Sequence, residues 1–402
     1  MVIVAGNTRG GVAAWLSPKP IQYLGDISYS CYLWHWPLIV FFVTWAERSP
    51  AMWDGLLIIA VTLVLSHVTK VFVEDRFRYG SQPDGILISP LRIGVMSVGA
   101  CLIASAAIWL AAGPAFRPAV AMANAPGARA LSENAPVHGD VMVPSLASVK
   151  WDKPKFYAAG CFAEREEVKA TGCEFGSPGG RFRIALIGDS HAGQWFPALD
   201  AVAHKRGWRL TVYTKPSCAF VPIMLGKKRP YEECYRWGQD LLEQLNATRP
   251  DLVIVSHSFR EVAYGSSNKA DSVRRIALAL RELWAALGKR GMQVVAIRDT
   301  PTMPFNVPEC LSKGHECTVK RAAVFSDEGP IVLAAREEPS VAFLDFSDAI
   351  CSTDSCAPIV GNVLVWRDNE HLTATYASSL DGVLGTALDE IQRRRAKLLG
   401  QQ

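Results

Sequence analysis

The most informative residues of this chain follow directly after an apolar run. The stretch 183–191 reads RIALIGDSH, and a helical pattern continues beyond it. This order lifts the hydroxyl of Ser190 onto a tight strand-to-helix turn, beside the first backbone N–H groups of a helix. Far downstream, Asp368 and His371 offer a carboxylate and an imidazole three residues apart. Serine, aspartate and histidine are the parts of a nucleophilic acyl-transfer site.

The three side chains fill the three roles of a catalytic triad. We expect Ser190 to attack an acyl carbonyl, His371 to take its proton and Asp368 to orient the ring. The backbone N–H of Ser190 is the first expected donor to the oxyanion, and further donors are expected around Ser217 and Ser256–Ser258. The structural alternative makes Ser190 and Asp368 helix-capping residues.

Other polar residues close to these motifs receive supporting roles. Gly188, Asp189 and Ser256 are expected to orient the site, with Asp189 in a structural hydrogen-bonding role. His191 is not expected to act as a base, because adjacent side chains seldom meet productively. For His257, a substrate contact and a structural role are equally favoured. Arg298 and Asp299 are lower-ranked candidates for lining the cleft. Three tryptophans could stack on a sugar, although core packing is preferred for each of them: Trp195, Trp237 and Trp366.

The cysteines indicate an oxidising compartment. Eight of the ten cysteines lie after residue 150, in four close couples. An even number of cysteines in closely spaced couples is typical of disulfides, and the alternative interpretation is a zinc site. No couple has Cys-x-x-Cys spacing with a nearby histidine, so we predict disulfides and no metal. The simplest pairing is Cys161–Cys173, Cys218–Cys234, Cys310–Cys317 and Cys351–Cys356, although spacing alone leaves connectivity open.

The first part of the chain has the composition of a membrane segment. Three apolar stretches approach the ~20 residues needed to cross a bilayer: Cys31 to about Trp45, Gly55 to about Val73 and Ile93 to about Ala112. A soluble helix hairpin is less favoured, because these stretches are apolar on all faces. Arg76, Arg78 and Arg92 lie between the second and third stretches, so the positive-inside rule places everything after residue 113 outside the cytoplasm. The net charge of +4 is small, and no basic stripe with interleaved aromatic residues is present, so nucleic-acid binding is not expected.

The rest of the chain predicts a three-layer α/β domain with a mainly parallel sheet. Residues 1–113 form the membrane part, 114–150 an extended extracytoplasmic linker and 151–402 the soluble domain. Alternating strands and helices imply βαβ units, with the active site at the carboxyl ends of the strands. The predicted strands are Phe182–Ile187, Arg209–Thr214, Asp251–Ser256, Gln293–Arg298 and Val341–Phe346. The predicted helices are Gly193–Lys205, Glu232–Asn246, Lys269–Arg290 and Leu372–Arg395.

Two of these motifs resemble the SGNH hydrolase family. Gly188-Asp189-Ser190 is similar to its first sequence block and Asp368-x-x-His371 to its last. The resemblance implies a flavodoxin-like fold and a Ser190, His371 and Asp368 triad. It also implies a glycine and an asparagine in the oxyanion hole, usually within Gly-x-Asn-Asp. The sequence has Val255-Ser256-His257-Ser258 at about that place, without an asparagine.

The N-terminal part resembles a second family, the acyltransferase-3 membrane proteins. The segment 24–38, LGDISYSCYLWHWPL, looks like its late transmembrane region, and 74–78, EDRFR, like the segment after its last core helix. Together the two resemblances imply a fusion protein that O-acetylates bacterial envelope polysaccharides such as lipopolysaccharide. They imply a multi-pass inner-membrane protein with a periplasmic C-terminal domain, and cytoplasmic acyl-CoA as the upstream acyl donor. No cofactor is expected within the SGNH domain.

The membrane part is shorter than that family's membrane domain. About three helices are predicted here, so we expect an N-terminally truncated chain, a start site further upstream, or a separate polypeptide that supplies the missing helices. The expected partners are an envelope glycan and the lipid bilayer, with no nucleic acid. Three functions stay open: an O-acyltransferase component, a membrane-anchored carbohydrate esterase with the same triad, and a non-catalytic glycan-binding module.

Overall fold

A computed structural model describes residues 18–46, 50–75, 98–99, 101–103, 105, 125–137, 142–325 and 329–399. The chain divides into two compact units, Met1–Arg117 and Pro118–Gln402. Each unit is described by itself below.

The described part of the first unit is helical. Its helices are α1 (Lys19–Asp26), α2 (Ser28–Ala46) and α3 (Met52–Thr69), and α3 continues into a π-helical turn, Lys70–Glu74. Within the described residues, one helix, Met52–Glu74, is long and apolar enough to cross a membrane by length and composition. The third predicted span, Ile93 to about Ala112, and the Arg76–Arg92 loop lie mostly outside the described residues.

The second unit is built on a six-stranded sheet. Its strands are β1 (Cys173–Gly176), β2 (Arg183–Gly188), β3 (Arg209–Thr214), β4 (Leu252–Ser256), β5 (Gln293–Ile297) and β7 (Ala342–Leu344), in the spatial order β1-β3-β2-β4-β5-β7. Strand β1 is antiparallel to β3, and the other five strands are parallel. The parallel strands therefore have the flavodoxin-like order 2-1-3-4-5 that the sequence resemblance implied.

Alternate residues of the central strands pack on opposite faces of this sheet. On β2, Ile184 and Leu186 belong to one buried cluster, and Ala185 and Ile187 to the other. Both faces are covered, so these strands are apolar throughout rather than alternating. The two-sided burial explains why their sequences read as short continuous apolar runs.

Helices cover both faces of the sheet. The α6 (Ser190–Gly193), α7 (Phe196–Arg206), α12 (Ala374–Ser378) and α13 (Asp381–Leu399) helices lie with the first cluster, and α8 (Glu232–Thr248), α9 (Lys269–Lys289) and α11 (Pro330–Glu337) lie with the second. Shorter elements are α4 (Arg129–Ser132), α5 (Lys155–Ala158), α10 (Val307–Ser312), and the strands β6 (Val319–Lys320), β8 (Ser355–Cys356), β9 (Ile359–Val360) and β10 (Val363–Leu364).

The five predicted strands and the first three predicted helices of the soluble domain are confirmed to within a few residues. The single helix predicted over Leu372–Arg395 is wrong, because the chain forms α12 and α13 there. Ser379 lies between them, and its buried hydroxyl accepts a hydrogen bond from the backbone N–H of Ala128 at 2.8 Å. A contact with a residue about 250 positions away in the chain is invisible to helical periodicity.

Described residues of the predicted linker pack on the α/β domain. Ala128 is fully buried and Val149 is 2 % exposed, and both belong to the first cluster. The backbone N–H of Val143 donates to the carbonyl of Asn362 at 2.9 Å. The apolar residues of this segment therefore contribute to the core of the second unit.

Four disulfides join the predicted cysteine couples: Cys161–Cys173, Cys218–Cys234, Cys310–Cys317 and Cys351–Cys356. Cys31 and Cys101 are free. The pairing preferred from spacing is confirmed. Each bond closes a short loop, which limits the conformational freedom of the unfolded chain.

The cysteine states can be tested by thiol labelling. We expect a maleimide reagent to label two cysteines, Cys31 and Cys101, in denaturant without reductant, and ten after reduction. Mass spectrometry of the peptides locates each label. Labelling of any of the other eight cysteines before reduction would contradict the disulfide assignment.

Candidate functional site

The site forms where three parallel strands end at the same level. Gly188 on β2 is paired with Thr214 on β3 and with Ser256 on β4. The residues that follow these three positions therefore emerge side by side at the carboxyl edge of the sheet. Strand β2 is also where the strand order reverses, the place at which open α/β sheets bind ligands.

Gly188 has a backbone conformation and surroundings that only glycine tolerates. Its φ is +147°, and a Cβ atom at this position would lie 1.9 Å from the carbonyl oxygen of Ser256. A side chain would push β2 away from β4 at the point where both strands enter the site. The predicted orienting role of Gly188 thus has a steric basis.

Asp189 holds two loops together through its carboxylate. One oxygen accepts the backbone N–H of His191 at 2.8 Å and caps α6, and the other accepts the backbone N–H of Ser258 at 2.9 Å. Its side chain is buried, and the two bonds connect the end of β2 with the loop after β4. These contacts are the structural hydrogen bonds expected for Asp189.

Ser190, His371 and Asp368 lie in one hydrogen-bonded line. The hydroxyl of Ser190 donates to Nε2 of His371 at 2.8 Å, and Nδ1 of His371 donates to Asp368 at 2.8 Å. Ser190 is separated from His371 by 181 positions in the chain. The fold therefore brings together all three residues predicted for the triad, in hydrogen-bond order.

The carboxylate of Asp368 is held in its ionised form. Burial alone would raise its pKa, but hydrogen bonds from the His371 ring and from the backbone N–H groups of Glu370 and His371 lower the pKa to about 2. Those backbone bonds are 2.8 and 2.7 Å long. The short Asp-x-x-His spacing thus lets one carboxylate bind both the ring and the turn that carries it.

Buried polar contacts fix the His371 segment against the sheet. The side-chain oxygen of Gln194, on the helical side of the Ser190 turn, accepts the backbone N–H of Leu372 at 2.9 Å. Its amide nitrogen donates to the hydroxyl of Thr300 at 2.9 Å. Gln194 is a supporting residue that was not predicted, because no local sequence pattern distinguishes it from other glutamines.

An open cleft of about 840 Å³ lies beside Ser190. Ser217 and Ser258 line it, together with Asp189 and His191. Ser217 has φ +48° and follows β3, so a serine here adopts the left-handed conformation that favours glycine. Ser256 does not line the cleft, since its hydroxyl is buried beneath it.

His191 forms a second histidine–carboxylate pair beside the triad. Its Nδ1 donates to Asp299 at 2.6 Å, and both side chains are almost fully buried. Burial alone would lower the pKa of His191, but Asp299 raises it to about 9, so the ring is cationic at neutral pH. The His191 ring lies 5.0 Å from that of His371. Asp299 follows β5 at the same edge of the sheet, and this position is the signal that could have identified the pair.

The remaining candidates lie away from the cleft. His257 is buried and its Nδ1 donates to the carbonyl of Ser258 at 3.0 Å. Arg298 pairs with Asp345 at 2.8 Å. The three tryptophans are 1 % exposed or less and pack in the core: Trp195, Trp237 and Trp366. The prediction that these tryptophans pack in the core is confirmed.

Three side chains near Ser190 have donor atoms close enough to share a cation: those of His191, Glu370 and His371 lie within 4.8 Å of one another. Both ring nitrogens of His371 are, however, engaged with Ser190 and Asp368. A metal at this place would have to break a bond of the triad, so we assign these residues to the hydrogen-bonded site.

Residues 160–385 match the model of the SGNH domain fused to AT3 domains. A putative peptidoglycan O-acetyltransferase, YrhL, of Bacillus subtilis is 34 % identical over 70 residues, which cover 17 % of this chain and 11 % of that protein. The peptidoglycan O-acetyltransferase OatA of Listeria monocytogenes is 33 % identical over 79 residues, 19 % of this chain and 13 % of that protein. The chain thus aligns with about an eighth of the length of these relatives.

Two solved structures are also similar. The periplasmic domain of a lipopolysaccharide acetyltransferase from Salmonella ser. Paratyphi A has a TM-score of 0.43 and 17 % identity, over 52 % of this chain and 84 % of that one. A putative acylhydrolase from Bacteroides fragilis has a TM-score of 0.34 and 12 % identity, over 60 % of this chain and 98 % of that one.

The His191–Asp299 pair predicts a pH-dependent stability. Because the pKa of His191 is raised from 6.5 to about 9, its ion pair stabilises the fold fully below pH 6.5 and is lost as the pH rises through 9. We expect the free energy of unfolding to fall by up to ~3 kcal/mol across this window. Thermal unfolding of the detergent-solubilised chain, followed by tryptophan fluorescence, measures the change.

The matched control is a histidine outside the site. His191→Gln should flatten the pH dependence between 6.5 and 9, while His204→Gln, at a half-exposed position on α7, should retain it. Equal slopes in the wild type and His191→Gln would contradict the assigned ion pair.

Proposed function

Since the chain belongs to the family of SGNH domains fused to AT3 domains, we propose that it is a membrane-anchored O-acyltransferase component for an envelope polysaccharide. The observation that carries the proposal is the position of His371, which bonds to Ser190 on one side and to Asp368 on the other. The acetyltransferase names of its relatives support the choice of an acyl group and a glycan acceptor.

In the first half-reaction, the oxygen of Ser190 attacks the carbonyl carbon of the acyl donor as His371 removes the hydroxyl proton. Asp368, ionised by its low pKa, stabilises the resulting imidazolium. The tetrahedral intermediate collapses, the donor's leaving oxygen takes the proton from His371, and an acyl ester remains on Ser190.

In the second half-reaction, a sugar hydroxyl attacks the acyl ester. His371 removes the proton of that hydroxyl, the carbon–oxygen bond to Ser190 breaks, and Ser190 recovers the proton. The products are an O-acylated sugar and the free serine. Water in place of the sugar would give hydrolysis with the same residues, which is the esterase alternative.

The oxyanion formed in both halves needs donors aimed into the cleft. We assign the backbone N–H groups of Ser190 and Ser217 and the hydroxyl of Ser258 to this role. Ser258 lines the cleft, and its oxygen accepts the backbone N–H of Arg260 at 3.3 Å, which leaves its own proton free to donate. Its backbone is fixed to the Ser190 turn through Asp189. In this proposal Ser258 has the oxyanion-binding role that an asparagine usually has in the family.

The setting of the reaction follows from the first unit and the disulfides. We propose that Met52–Glu74 anchors the chain in the bacterial inner membrane and that the second unit lies in the periplasm, where disulfides form. The acyl group would originate from cytoplasmic acyl-CoA. Further membrane helices, on this chain or on a separate polypeptide, would deliver it across the bilayer.

The proposal is tested with the detergent-solubilised chain and an aryl acetate. We expect phenol release, an acetyl adduct on the peptide that contains Ser190, and transfer to an added glycan. Ser190→Ala should reduce release at least about a thousandfold and abolish the adduct. Ser378→Ala, an exposed serine on α12, is the control and should leave the rate unchanged. Release without transfer to any glycan would favour the esterase, and release independent of Ser190 would refute both.

The oxyanion assignment predicts a contrast between two nearby serines. Ser258→Ala should lower kcat about a hundredfold with little change in KM, because its hydroxyl is assigned to the transition state. Ser256→Ala should change kcat by less than about threefold, since that hydroxyl is buried beneath the cleft. Steady-state rates with the aryl acetate measure both, and equal effects of the two substitutions would contradict the assignment.

A further inference from the structure

The cleft beside Ser190 has one strongly basic wall. Its lining includes the consecutive residues Lys227, Lys228 and Arg229, and also Arg165 from a different loop. All four side chains are exposed to solvent. Among the described residues, none of the four forms an ion pair.

The loop that carries Lys227–Arg229 is fixed to the body of the domain. It lies inside the loop closed by the Cys218–Cys234 disulfide. The backbone N–H of Gly226 donates to the carbonyl of Val262 at 2.8 Å, and that of Tyr264 to the carbonyl of Met224 at 2.9 Å. These bonds attach the basic loop to the segment after β4, which also carries Ser258. The backbone that carries the three cations is therefore attached to the same segment as Ser258.

Arg165 is fixed independently. Its guanidinium lies 4.2 Å from the centre of the Tyr231 ring, which is almost fully buried. The buried ammonium of Lys215 donates to the backbone carbonyl of Arg165 at 2.8 Å and also to those of Glu164 and Glu167. A cation stacked on a buried ring over a tethered backbone is preorganised to meet a ligand.

The acidic residues of the cleft neutralise little of this charge. Glu370 pairs with Arg260 at 2.7 Å. Burial, then the charge of Asp189, raises the pKa of Glu261 to about 8 although Lys227 acts in the opposite direction, so this carboxyl is mostly protonated at neutral pH. Asp189 is buried and bonded to backbone N–H groups. Glu233 is the remaining acid among the lining residues. Glu166 and Glu167, the exposed neighbours of Arg165, do not line the cleft.

We propose that the acceptor is an acidic glycan, whose carboxylate or phosphate groups bind Lys227, Lys228, Arg229 and Arg165 while a sugar hydroxyl reaches Ser190. The proposal rests on the function inferred above and specifies its substrate class. An open cleft of about 840 Å³ has room for part of a polysaccharide chain beside the reacting hydroxyl. Cations grouped along one wall favour an anionic chain over a neutral one.

Binding is measured separately from catalysis. The full chain with Ser190→Ala, in detergent, is titrated with three oligosaccharides of matched length: a neutral one, an oligogalacturonate and a phosphorylated one. We expect the acidic probes to bind at least about tenfold more tightly than the neutral one, which corresponds to ~1.4 kcal/mol, and the difference to shrink with added salt. The two acidic probes distinguish carboxylate from phosphate recognition. Equal affinity for all three probes would overturn the proposal.

Charge-matched variants locate the effect. Lys227→Gln/Lys228→Gln/Arg229→Gln should weaken binding of the acidic probes about tenfold or more and leave the neutral probe unaffected. The control Arg274→Gln/Arg275→Gln/Lys289→Gln removes the same charge from exposed positions on α9 and should bind as the parent does. A similar loss in both variants would also overturn the proposal, because it would indicate a net-charge effect.

Transfer assays separate this inference from the proposed function. With aryl acetate as donor, the Lys227→Gln/Lys228→Gln/Arg229→Gln variant should raise KM for the acidic acceptor relative to the Arg274→Gln/Arg275→Gln/Lys289→Gln control. Absence of Ser190-dependent release would refute the proposed function. The binding titration would still show whether the cleft prefers an acidic glycan. Transfer to the neutral acceptor with equal kcat/KM would refute the acidic-glycan proposal alone.

Discussion

The site depends on the carboxylate of Asp189 and the close approach of β2 and β4 beneath it. Gly188 lets β2 pass against the carbonyl of Ser256 with no room for a side chain. One residue later, Asp189 accepts backbone N–H groups from both His191 and Ser258. A buried carboxylate needs such partners, and each bond it makes fixes a loop that carries a functional group. The position of Ser190 and that of Ser258 are therefore set by the same interaction.

Charge at the site is organised in two histidine–carboxylate pairs with different tasks. His371 bonds through Nδ1 to Asp368 and through Nε2 to Ser190, so Asp368 orients the ring and Nε2 is the nitrogen placed to accept the proton of the Ser190 hydroxyl. His191 bonds to buried Asp299 and is held cationic, which makes it unsuited to act as a base at neutral pH. The two rings lie 5.0 Å apart, so the site combines a base with a fixed positive charge. The side chain of Gln194 bonds to the hydroxyl of Thr300, next to Asp299, and to the backbone N–H of Leu372, next to His371. It therefore connects the segments that carry the two pairs.

The cleft is built from loops on a rigid frame. Its basic loop lies within the loop closed by the Cys218–Cys234 disulfide, and backbone hydrogen bonds join it to the segment after β4. Because the basic loop and the Ser190 turn are both attached to the ends of neighbouring strands, the proposed acceptor site and the proposed nucleophile share one scaffold.

Local pattern in the sequence determined the parallel sheet, the cysteine couples and the three residues, Ser190, His371 and Asp368, that the structure joins by hydrogen bonds. Short apolar runs mark strands buried on both faces, Gly-Asp-Ser marks a strand-to-helix turn, and Asp-x-x-His places a carboxylate within reach of its own ring. These signals are local, so periodicity and spacing reveal them. Only the tertiary structure decided the break at Ser379, the His191–Asp299 pair, the bracing by Gln194 and the placement of Ser258 in the cleft with Ser256 beneath it. Each of these features depends on a contact between residues far apart in the chain, or on the direction in which a side chain points at the end of a strand. The spacing of neighbouring residues in the sequence reveals neither the contact nor the direction.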